Sequence, residues 1–409
     1  MTNGLLVSVV VPYYQRQDQL DRLLAGLDAQ TLAPDSFEVV VADDGSRVAP
    51  TLGRHDFRVA LVRQDDAGFR LAAARNLGAA VASAPVLAFL DQDCIPAPGY
   101  LAEMVRAADS PWAMVLGHRR HAELRGWSAA MVHHWLQCRG PGPVELTEPQ
   151  WLLDGYARTA DLTEPDPRAY QLVIGAALTL HTELFARLGG FDESFRSYGG
   201  EDWELGHRAL VAGADTRWLR DAVVWHDGPD LAGRGADLVS MKNAETLALA
   251  SRIPDRDLRG ENLVWTVPDI VVQLQSSGAG AAVLLASIES LLAGSDAHVW
   301  IDDVEAAAAV LTVVNDARIH GGQPPSRILE RARYRVAADP VLLSGTTLRR
   351  LSAQAPTATE GLQVSASRDL NRAARGLPSP VATPWPTDAV VERLRDEPLL
   401  ERLWQGRAV

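Results

Sequence analysis

Residues 85–93, PVLAFLDQD, join an apolar segment of strand length directly to two carboxylates. A continuous apolar run such as Pro85 to Leu90 is typical of a strand that is buried on both faces of a parallel sheet. Asp91 and Asp93, one residue apart on the turn after this run, can face one hard divalent cation together. Short acidic patterns are also common on protein surfaces, but a surface turn need not come after a buried strand. The stretch therefore predicts a metal-binding turn at a strand end.

The residues before this stretch alternate between strand and helix patterns. Apolar strand patterns cover Leu5 to Val11, Phe37 to Ala42 and Arg58 to Arg63. Helical spacing begins after Pro12, and a helix rich in small residues is predicted from Leu71 to Ala82. This alternation predicts an α/β fold with a mostly parallel sheet in three layers. Because such sheets bind ligands at the carboxyl ends of their strands, we expect one crevice to gather the residues found there, which are Tyr13, Asp43, Asp44, Asp91 and Asp93.

Composition narrows the class of protein. A length of 409 residues favours two domains, or one large domain with an appendage. Acidic residues outnumber basic residues by 52 to 39, and the net charge of −13 argues against a nucleic-acid partner. The apolar runs are too short to span a membrane, no basic region precedes the first of them, and two cysteines cannot form a disulfide framework. We therefore expect a soluble, cytoplasmic protein of two units.

A second candidate site lies in residues 198–205, YGGEDWEL. Paired glycines let the backbone approach a ligand closely, and here they precede a predicted helix. Carboxylates in a first helical turn also stabilise the helix dipole, which requires no function. The functional alternative is that Asp202 is the general base for transfer to a hydroxyl, with Glu201 orienting the acceptor.

A single histidine, His226, ends the last strand pattern of this half, which begins at Trp218. A lone histidine is more often a structural hydrogen-bonding group than a ligand. It becomes a metal ligand if Asp93 holds a metal, because an imidazole would then complete the coordination shell.

The weakly periodic stretch from Trp112 to Pro167 is predicted to form helices and loops along one wall of the site.

Six segments stand in the order VVVPYYQR, VADDGS, AARNLGAA, FLDQDCIP, GGFDESFRSYGGEDWELGHR and VVWH. In this order they resemble the GT-A fold glycosyltransferases of family 2, and the resemblance covers about Leu5 to Gly228. The fifth segment also resembles the acceptor-side motif of β-1,4-galactosyltransferases and of chondroitin polymerases. Tyr198 stands where the galactosyltransferases carry tryptophan, which leaves the acceptor open.

The resemblance implies an inverting, metal-dependent transfer of a sugar from a nucleotide-sugar to an acceptor hydroxyl. It implies a UDP-hexose or UDP-N-acetylhexosamine donor, Mn²⁺ or Mg²⁺ as cofactor, and a small-molecule, glycan or peptide acceptor. The implied nucleotide-sugar-binding residues are Pro12, Tyr13, Asp43, Asp44, Arg75, Asp91 and Gln92. The implied metal ligands are Asp93, His226 and Asp91. The implied acceptor-side residues are Asp202 as base, Glu201 as its positioning neighbour, Tyr198 and Trp203.

The second half of the chain weakly repeats the sequence pattern of the first half. Asp269 to Leu274 resembles the first strand, and His298 to Asp303 ends in paired aspartates as the second strand does. Ala338 to Leu343 echoes Ser83 to Ala88, but residues 344–347, SGTT, then replace the acidic turn. Two interpretations stay open, a degenerate GT-A-like repeat that has lost its acidic motif, and a generic α/β or helical appendage.

These patterns predict four segments. Residues 1–235 are expected to form the GT-A domain, 236–262 a linker, and 263–360 the degenerate domain. Residues 361–409 are expected to form a proline-rich spacer and an amphipathic helix from Asp388 to Trp404. The C-terminal section is a candidate surface for homo-oligomer formation.

Two other functions stay open. A nucleotidyltransferase also uses a nucleotide crevice, carboxylates and Mg²⁺, but it would carry a glycine-rich basic loop after the first strand, and PYYQRQDQL is not one. A nucleotide-sugar-binding or scaffold protein without turnover is the third candidate, and for the second section it is the preferred interpretation.

Overall fold

The structure, a computed structural model, describes residues 4–229, 238–260, 263–378, 380–398 and 400–404. The chain divides into two compact units, of which unit 1 comprises Met1–Leu210 and Ala214–Ala248. Unit 2 comprises Val211–Gly213 and Leu249–Val409. The middle of the predicted linker is a helix, while residues 236–237 and 261–262 lie outside the described residues.

Unit 1 is built on a mixed sheet that has nine strands among the described residues. The strands are β1 (Val7–Tyr13), β2 (Phe37–Asp43), β3 (Arg58–Arg63), β4 (Val86–Leu90), β5 (Cys94–Pro96), β6 (Ala113–Glu123), β7 (Val144–Leu146), β8 (Ala177–His181) and β9 (Asp215–Asp227). The helices that lie wholly or mostly in unit 1 are α1 (Gln17–Asp28), α2 (Leu71–Val81), α3 (Tyr100–Ala107), α4 (Ala129–Leu136), α5 (Gln150–Arg158), α6 (Thr182–Leu188), α7 (Glu201–Ala212) and α8 (Leu238–Ala250).

The strands of unit 1 have the order β3-β2-β1-β4-β8-β6-β9-β5, with β7 beside β6. β3, β2, β1 and β4 are parallel, so their carboxyl ends share one edge. β8 runs antiparallel to both β4 and β6. The α/β prediction is confirmed, and the expected ligand edge is the carboxyl end of the parallel strands.

The core of unit 1 explains why these strands form where the sequence predicts them. Every residue of β1, β2 and β4 is buried, as a continuous apolar run requires. The polar exception in β1, Ser8, donates to Glu38 in β2 over 2.7 Å, so neither buried polar group is left unsatisfied. Helix α2 can pack closely on β1 because it carries Gly78, where a Cβ atom would lie 2.5 Å from Val10.

The prediction of helices and loops from Trp112 to Pro167 is wrong for β6, an eleven-residue strand between β8 and β9. The first half of β6 is apolar and buried, whereas its second half reads HRRHAE. Those charges are paired across the sheet surface, with His118 and Arg120 both contacting Glu148. A register shift at Gly117 and His118 also breaks the regular alternation that a sequence pattern would reveal.

Unit 2 is also α/β and not helical. Its strands are β10 (Ile270–Leu274), β11 (Ala297–Ile301), β12 (Ile319–Gly321), β13 (Tyr334–Ala338), β14 (Val341–Ser344), β15 (Thr357–Thr359), β16 (Leu362–Ala366) and β17 (Val390–Arg393). Its helices are α9 (Ala281–Leu292), α10 (Val304–Leu311), α11 (Ser326–Leu329), α12 (Leu348–Ser352), α13 (Ser367–Ala373) and α14 (Leu400–Trp404). The main sheet has the order β12-β11-β10-β13-β16-β15, and β14 pairs with β17.

Two predictions for unit 2 are wrong in detail. The ADPVLL segment contains β14, which pairs with β17, and the strand that pairs with β10 is β13 instead. The helix predicted from Asp388 to Trp404 is helical only from Leu400, since β17 occupies part of it. Two β-branched residues, Val390 and Val391, favour the strand, and Pro398 disfavours helix before it.

No described part of the chain contains a helix with the length and apolar character that crossing a membrane requires.

Candidate active site

The carboxyl end of β1 presents a different tyrosine from the one that the sequence suggests. Pro12 and Tyr13 are buried, and burial together with nearby Asp43 raises the pKa of the Tyr13 phenol. The next residue, Tyr14, is 43% exposed, and its backbone N–H donates to Gln92 Oε1 over 2.8 Å. A ligand at this strand end would therefore meet the side chain of Tyr14.

The two aspartates at the end of β2 organise the neighbouring loops. Asp43 is fully buried, and its Oδ1 accepts from the backbone N–H of Ser46 over 2.8 Å. Asp44 accepts from Gln64 Nε2 over 2.7 Å and from the backbone N–H of Arg70 over 3.0 Å. Both aspartates lie at the predicted strand end, and each has a protein partner there.

An open cavity of about 460 Å³ lies at the same strand ends. It is lined by Tyr14, Gln15, Gly45, Ser46, Arg47, Arg63, Gln64, Asp65 and Asp66. Gly45 is required there, because its φ is +81° and a Cβ atom would lie 2.3 Å from the backbone of Asp66. Sequence reasoning found the aspartates beside this cavity and missed most of its lining, because the loop after β3 carries no motif.

The three residues of the acidic turn face different partners. Asp91 Oδ1 accepts from Arg75 Nη2 over 2.8 Å. Gln92 holds the turn against the end of β1, through Tyr14 and through a 3.0 Å bond to Gln19. Asp93 lies next to His226 because β5 and β9 are antiparallel, and Asp93 Oδ2 is 3.4 Å from His226 Nε2.

Asp93 and His226 fit a divalent cation. A carboxylate oxygen with an imidazole nitrogen suits Mn²⁺, and neighbouring ligand atoms on bonds of about 2.1 Å would be roughly 3 Å apart. His226 Nδ1 is 3.3 Å from the carbonyl oxygen of Gly228, and an Nδ1–H donated to that oxygen would leave Nε2, which faces Asp93, as the nitrogen that can bind a cation. Asp91 faces Arg75, and the described residues hold no group of three or more metal-ligating side chains.

The carboxylates of the second motif begin helix α7. Gly199 and Gly200 precede them with φ values of +93° and +98°, which glycine adopts at little cost. Asp202 is half-buried and accepts from two backbone N–H groups, those of Gly175 (3.0 Å) and Trp203 (2.8 Å). Those bonds fix its carboxylate.

Burial perturbs both acids of this motif. Glu201 is 4% exposed, and burial together with the charge of Asp202 raises the pKa of Glu201 to about 7. Burial also raises the pKa of Asp202. Perturbed carboxylates of this kind cluster at functional sites, and here they stand beside the strand-end acids.

Arg75 connects the two groups of acids. Its side chain is 1% exposed, Nη1 donates to Glu201 Oε1 over 2.7 Å, and Nη2 donates to Asp91. The resemblance implied that Arg75 binds the nucleotide-sugar, and in the structure both of its terminal nitrogens donate to carboxylates.

The two aromatic residues of the motif, Tyr198 and Trp203, differ in their surroundings. Tyr198 is 46% exposed and lies 6.2 Å, between ring centroids, from Phe69, which is 42% exposed. Trp203 instead packs edge-to-face on the buried ring of Tyr170. Phe69 was not predicted, and its only sequence signal is its place just before α2.

Family comparisons agree with the motifs. Residues 8–162 match "Glycosyl transferase family 2", and residues 159–222 match "N-terminal domain of galactosyltransferase". The resemblance to family 2 glycosyltransferases with a galactosyltransferase-like acceptor motif is confirmed.

Several curated proteins resemble this chain. A validoxylamine A glucosyltransferase of Streptomyces hygroscopicus subsp. limoneus is 36% identical over 227 residues, covering 51% of this chain and 48% of that protein. A chondroitin synthase of Escherichia coli is 28% identical over 265 residues, covering 61% of this chain and 38% of that protein. The chain spans about half or less of the length of these relatives.

Solved structures give weaker similarities. Staphylococcus aureus TarS shares 18% identity with a TM-score of 0.40, covering 59% of this chain and 39% of that one. A mannosyltransferase from Pyrobaculum calidifontis, solved with GDP-Man and Mn²⁺, shares 21% identity with a TM-score of 0.39, covering 59% and 61%.

Proposed function

We propose that this chain, whose residues 8–162 belong to glycosyltransferase family 2, transfers a sugar from a nucleotide-sugar to an acceptor hydroxyl. The observation that carries the proposal is the bridge made by Arg75. One guanidinium joins Asp91, in the strand-end turn that would hold the donor, to Glu201, in the motif that would hold the acceptor. Donor-side and acceptor-side acids therefore meet in one site, as transfer requires.

On the donor side, the nucleotide is placed in the cavity at the ends of β1, β2 and β3. Asp44, which precedes the lining residue Gly45, and the exposed ring of Tyr14 would contact the base and ribose, and Arg63 adds positive charge at the cavity wall. We propose a UDP-linked hexose or N-acetylhexosamine as donor. The name of the validoxylamine A relative supports a glucosyl group.

Asp93 and His226 would hold the divalent cation, Mn²⁺ or Mg²⁺. When bound, such a cation neutralises the negative charge that grows on a departing nucleoside diphosphate. The two side chains would supply one oxygen and one nitrogen ligand, and the carbonyl oxygen of Gly228 is placed to accept from the other ring nitrogen of His226.

On the acceptor side, Asp202 is the proposed general base. It is half-buried, so an acceptor hydroxyl can reach it, whereas Glu201 is buried and paired with Arg75. A single base on the acceptor side is enough for inversion, because a direct displacement needs no carboxylate nucleophile. The exposed rings of Tyr198 and Phe69 offer apolar faces on which a sugar-like or other small acceptor can stack.

The test has two stages. A thermal-shift titration with UDP, GDP, dTDP and ADP, each with and without Mn²⁺, is expected to show stabilisation by UDP that depends on Mn²⁺. Ligand at 100 times its Kd adds roughly 2.7 kcal/mol to the free energy of unfolding. UDP release from UDP-glucose is then measured with validoxylamine A or a chondroitin oligosaccharide as acceptor.

The outcomes separate the three candidate functions. UDP release that depends on an acceptor supports the transferase. Nucleotide binding without release would favour a binding protein, and release of pyrophosphate from a nucleoside triphosphate and a sugar phosphate would favour a nucleotidyltransferase. No response to any nucleotide would overturn the proposal.

A further inference from the structure

We propose that Arg75 is a positioning residue, which holds donor-side Asp91 and acceptor-side Glu201 in fixed relation without touching the nucleotide. This inference rests on the proposed function, because it concerns how one site brings its two substrates together. The carboxylates come from distant parts of the chain, the turn after β4 and the first turn of α7, and one side chain contacts both.

The surroundings of the guanidinium leave no room for a phosphate. Both terminal nitrogens donate to carboxylates, and the ring of Phe191 lies 5.1 Å from the guanidinium carbon. On a further side stands Gly175, where a Cβ atom would lie 2.8 Å from Nη2, 2.9 Å from Nη1 and 3.0 Å from Cζ. With 1% of its side chain exposed, Arg75 reaches neither solvent nor the cavity lined by Tyr14.

Only arginine suits this position. Its planar fork presents two nitrogens to two separate carboxylates at once, whereas the ammonium of lysine is a single point charge on a flexible stem. Without the guanidinium, Asp91 and Glu201 would lose their shared partner, and Glu201 would be a buried acid with no opposite charge beside it.

Gly175 is the second residue that determines the position of the Arg75 guanidinium. Its backbone N–H donates to Asp202 Oδ2, and its missing side chain leaves the space that the guanidinium of Arg75 fills. Its φ is not in the left-handed region, so Gly175→Ala strains no backbone dihedral and acts through the contact with Arg75. The variant therefore displaces the guanidinium of Arg75 while leaving Arg75 in the chain and keeping the backbone N–H that donates to Asp202.

The test separates positioning from nucleotide contact. Arg75→Lys, Arg75→Ala and Gly175→Ala are compared with the wild type for UDP affinity in Mn²⁺ by calorimetry and for kcat with UDP-glucose. Arg158→Met is the matched control, because Arg158 is an exposed arginine that pairs with Asp166 outside the site. Circular dichroism and thermal unfolding check that each variant is folded.

If Arg75 is a positioning residue, the UDP affinity of all three variants should lie within about fivefold of that of the wild type. Their kcat should fall by roughly 100-fold, which is the usual effect of misplaced reacting groups. Added guanidinium ion should restore part of the kcat of Arg75→Ala, and methylammonium should not. Arg158→Met should match the wild type in both readouts.

A loss of UDP affinity of roughly 100-fold in Arg75→Lys, with kcat unchanged at saturating donor, would overturn the inference and assign Arg75 to the nucleotide. If Arg75→Ala does not fold, Gly175→Ala decides: unchanged kcat in that variant also overturns the inference. A wild type that binds no nucleotide overturns the proposed function, and this inference with it.

Discussion

The two main sheets of the molecule share a strand order and differ in the turns at their strand ends. In unit 1 the order β3-β2-β1-β4-β8 has four parallel strands and then an antiparallel one. In unit 2 the order β12-β11-β10-β13-β16 repeats those directions. The backbone N–H of Asp44 donates to Tyr13 over 2.9 Å, and the N–H of Asp302 donates to Leu274 over 3.0 Å, so these aspartates hold equivalent positions.

The side chains at the two edges have different partners. Asp302 in unit 2 accepts from the backbone N–H groups of Ser276 and Asp303, so its carboxylate closes its own loop. Asp339 comes directly after β13, as Asp91 comes after β4, but it pairs with the half-exposed Arg393 over 2.7 Å. Unit 1 instead directs its acid towards a buried arginine.

The two units therefore have the same arrangement of strand ends at one edge of the sheet. They differ in the turns at that edge, which determine the partners of the acidic side chains. Of the two interpretations left open by the sequence, the shared strand order favours the first, and we propose that unit 2 is a degenerate GT-A-like repeat. A single aspartate, Asp339, stands directly after β13, and Pro340 and Val341 follow it, so the pair of acids that follows β4 has no counterpart there. Among the residues that the structure describes, no buried arginine pairs with Asp339 in the way that Arg75 pairs with Asp91.

The strongest loss of activity is expected at the base. Asp202→Asn should lower kcat by roughly 10²- to 10⁴-fold, because the amide cannot take the acceptor proton. UDP affinity should stay near that of the wild type. Steady-state kinetics and calorimetry check this, with Asp303→Asn in unit 2 as the matched control. Full activity in Asp202→Asn would remove Asp202 from the base role.

The second-largest effect is expected on the Mn²⁺ dependence of UDP binding. Asp93→Ala should abolish the gain in UDP affinity on adding Mn²⁺, because it removes one of the two protein ligands. A loss of at least roughly tenfold to 100-fold is expected, since even outer-shell partners contribute that much. Asp339→Ala should change nothing in the same titration. If Mn²⁺ still tightens UDP binding in Asp93→Ala, the metal lies elsewhere.

The pH dependence tests the buried acid. Because burial raises the pKa of Glu201 to about 7, lowering the pH through 7 should protonate Glu201 and loosen its pairing with Arg75. We expect kcat/KM to fall by up to about tenfold per pH unit below that value. The folded state keeps this proton between about pH 4.5 and 7, so the contribution of Glu201 to the free energy of unfolding decreases as the pH rises through that window. A pH–rate profile that is flat from about pH 5 to 8 would contradict the assignment.

The smallest effect is expected from substituting Asp44 and Asp302, the aspartates at equivalent positions of the two sheets. Asp302→Ala removes the acceptor of two backbone N–H groups and should lower the free energy of unfolding by about 1–3 kcal/mol, with UDP affinity unchanged. Asp44→Ala should lower both the stability and the UDP affinity. Denaturant unfolding and calorimetry on the two variants measure this. Equal losses of UDP affinity would mean that the two edges do not differ in function.

Much of this could be predicted from the sequence, because short motifs come directly after buried strands. The apolar run before Asp91 and the pair Asp43-Asp44 each indicated a strand end, and β4 and β2 end there. The glycines before Glu201 indicated a helix start, and α7 begins at Glu201. The directions of the side chains could not be predicted from these motifs. Tyr13 is buried because it is the last residue of β1, whose two faces are both covered, whereas Tyr14 lies just beyond the strand and is exposed. A motif does not reveal at which of the two residues the strand ends.

Long-range partners were also beyond the sequence. The burial of Arg75 between Asp91 and Glu201 depends on the antiparallel placement of β8 and on the space left at Gly175, which no local pattern encodes. The strand β6 was missed because its outer half carries charges, and their partner Glu148 lies far along the chain.

The decisive measurement is hydrogen–deuterium exchange of the full chain with UDP and Mn²⁺. The contrast between the two edges predicts slower exchange at residues 43–46, 64–70 and 91–94 of unit 1, and no change at residues 275–279 and 302–303 of unit 2. Protection confined to unit 2, or protection at neither edge under conditions where UDP stabilises the protein, would contradict it.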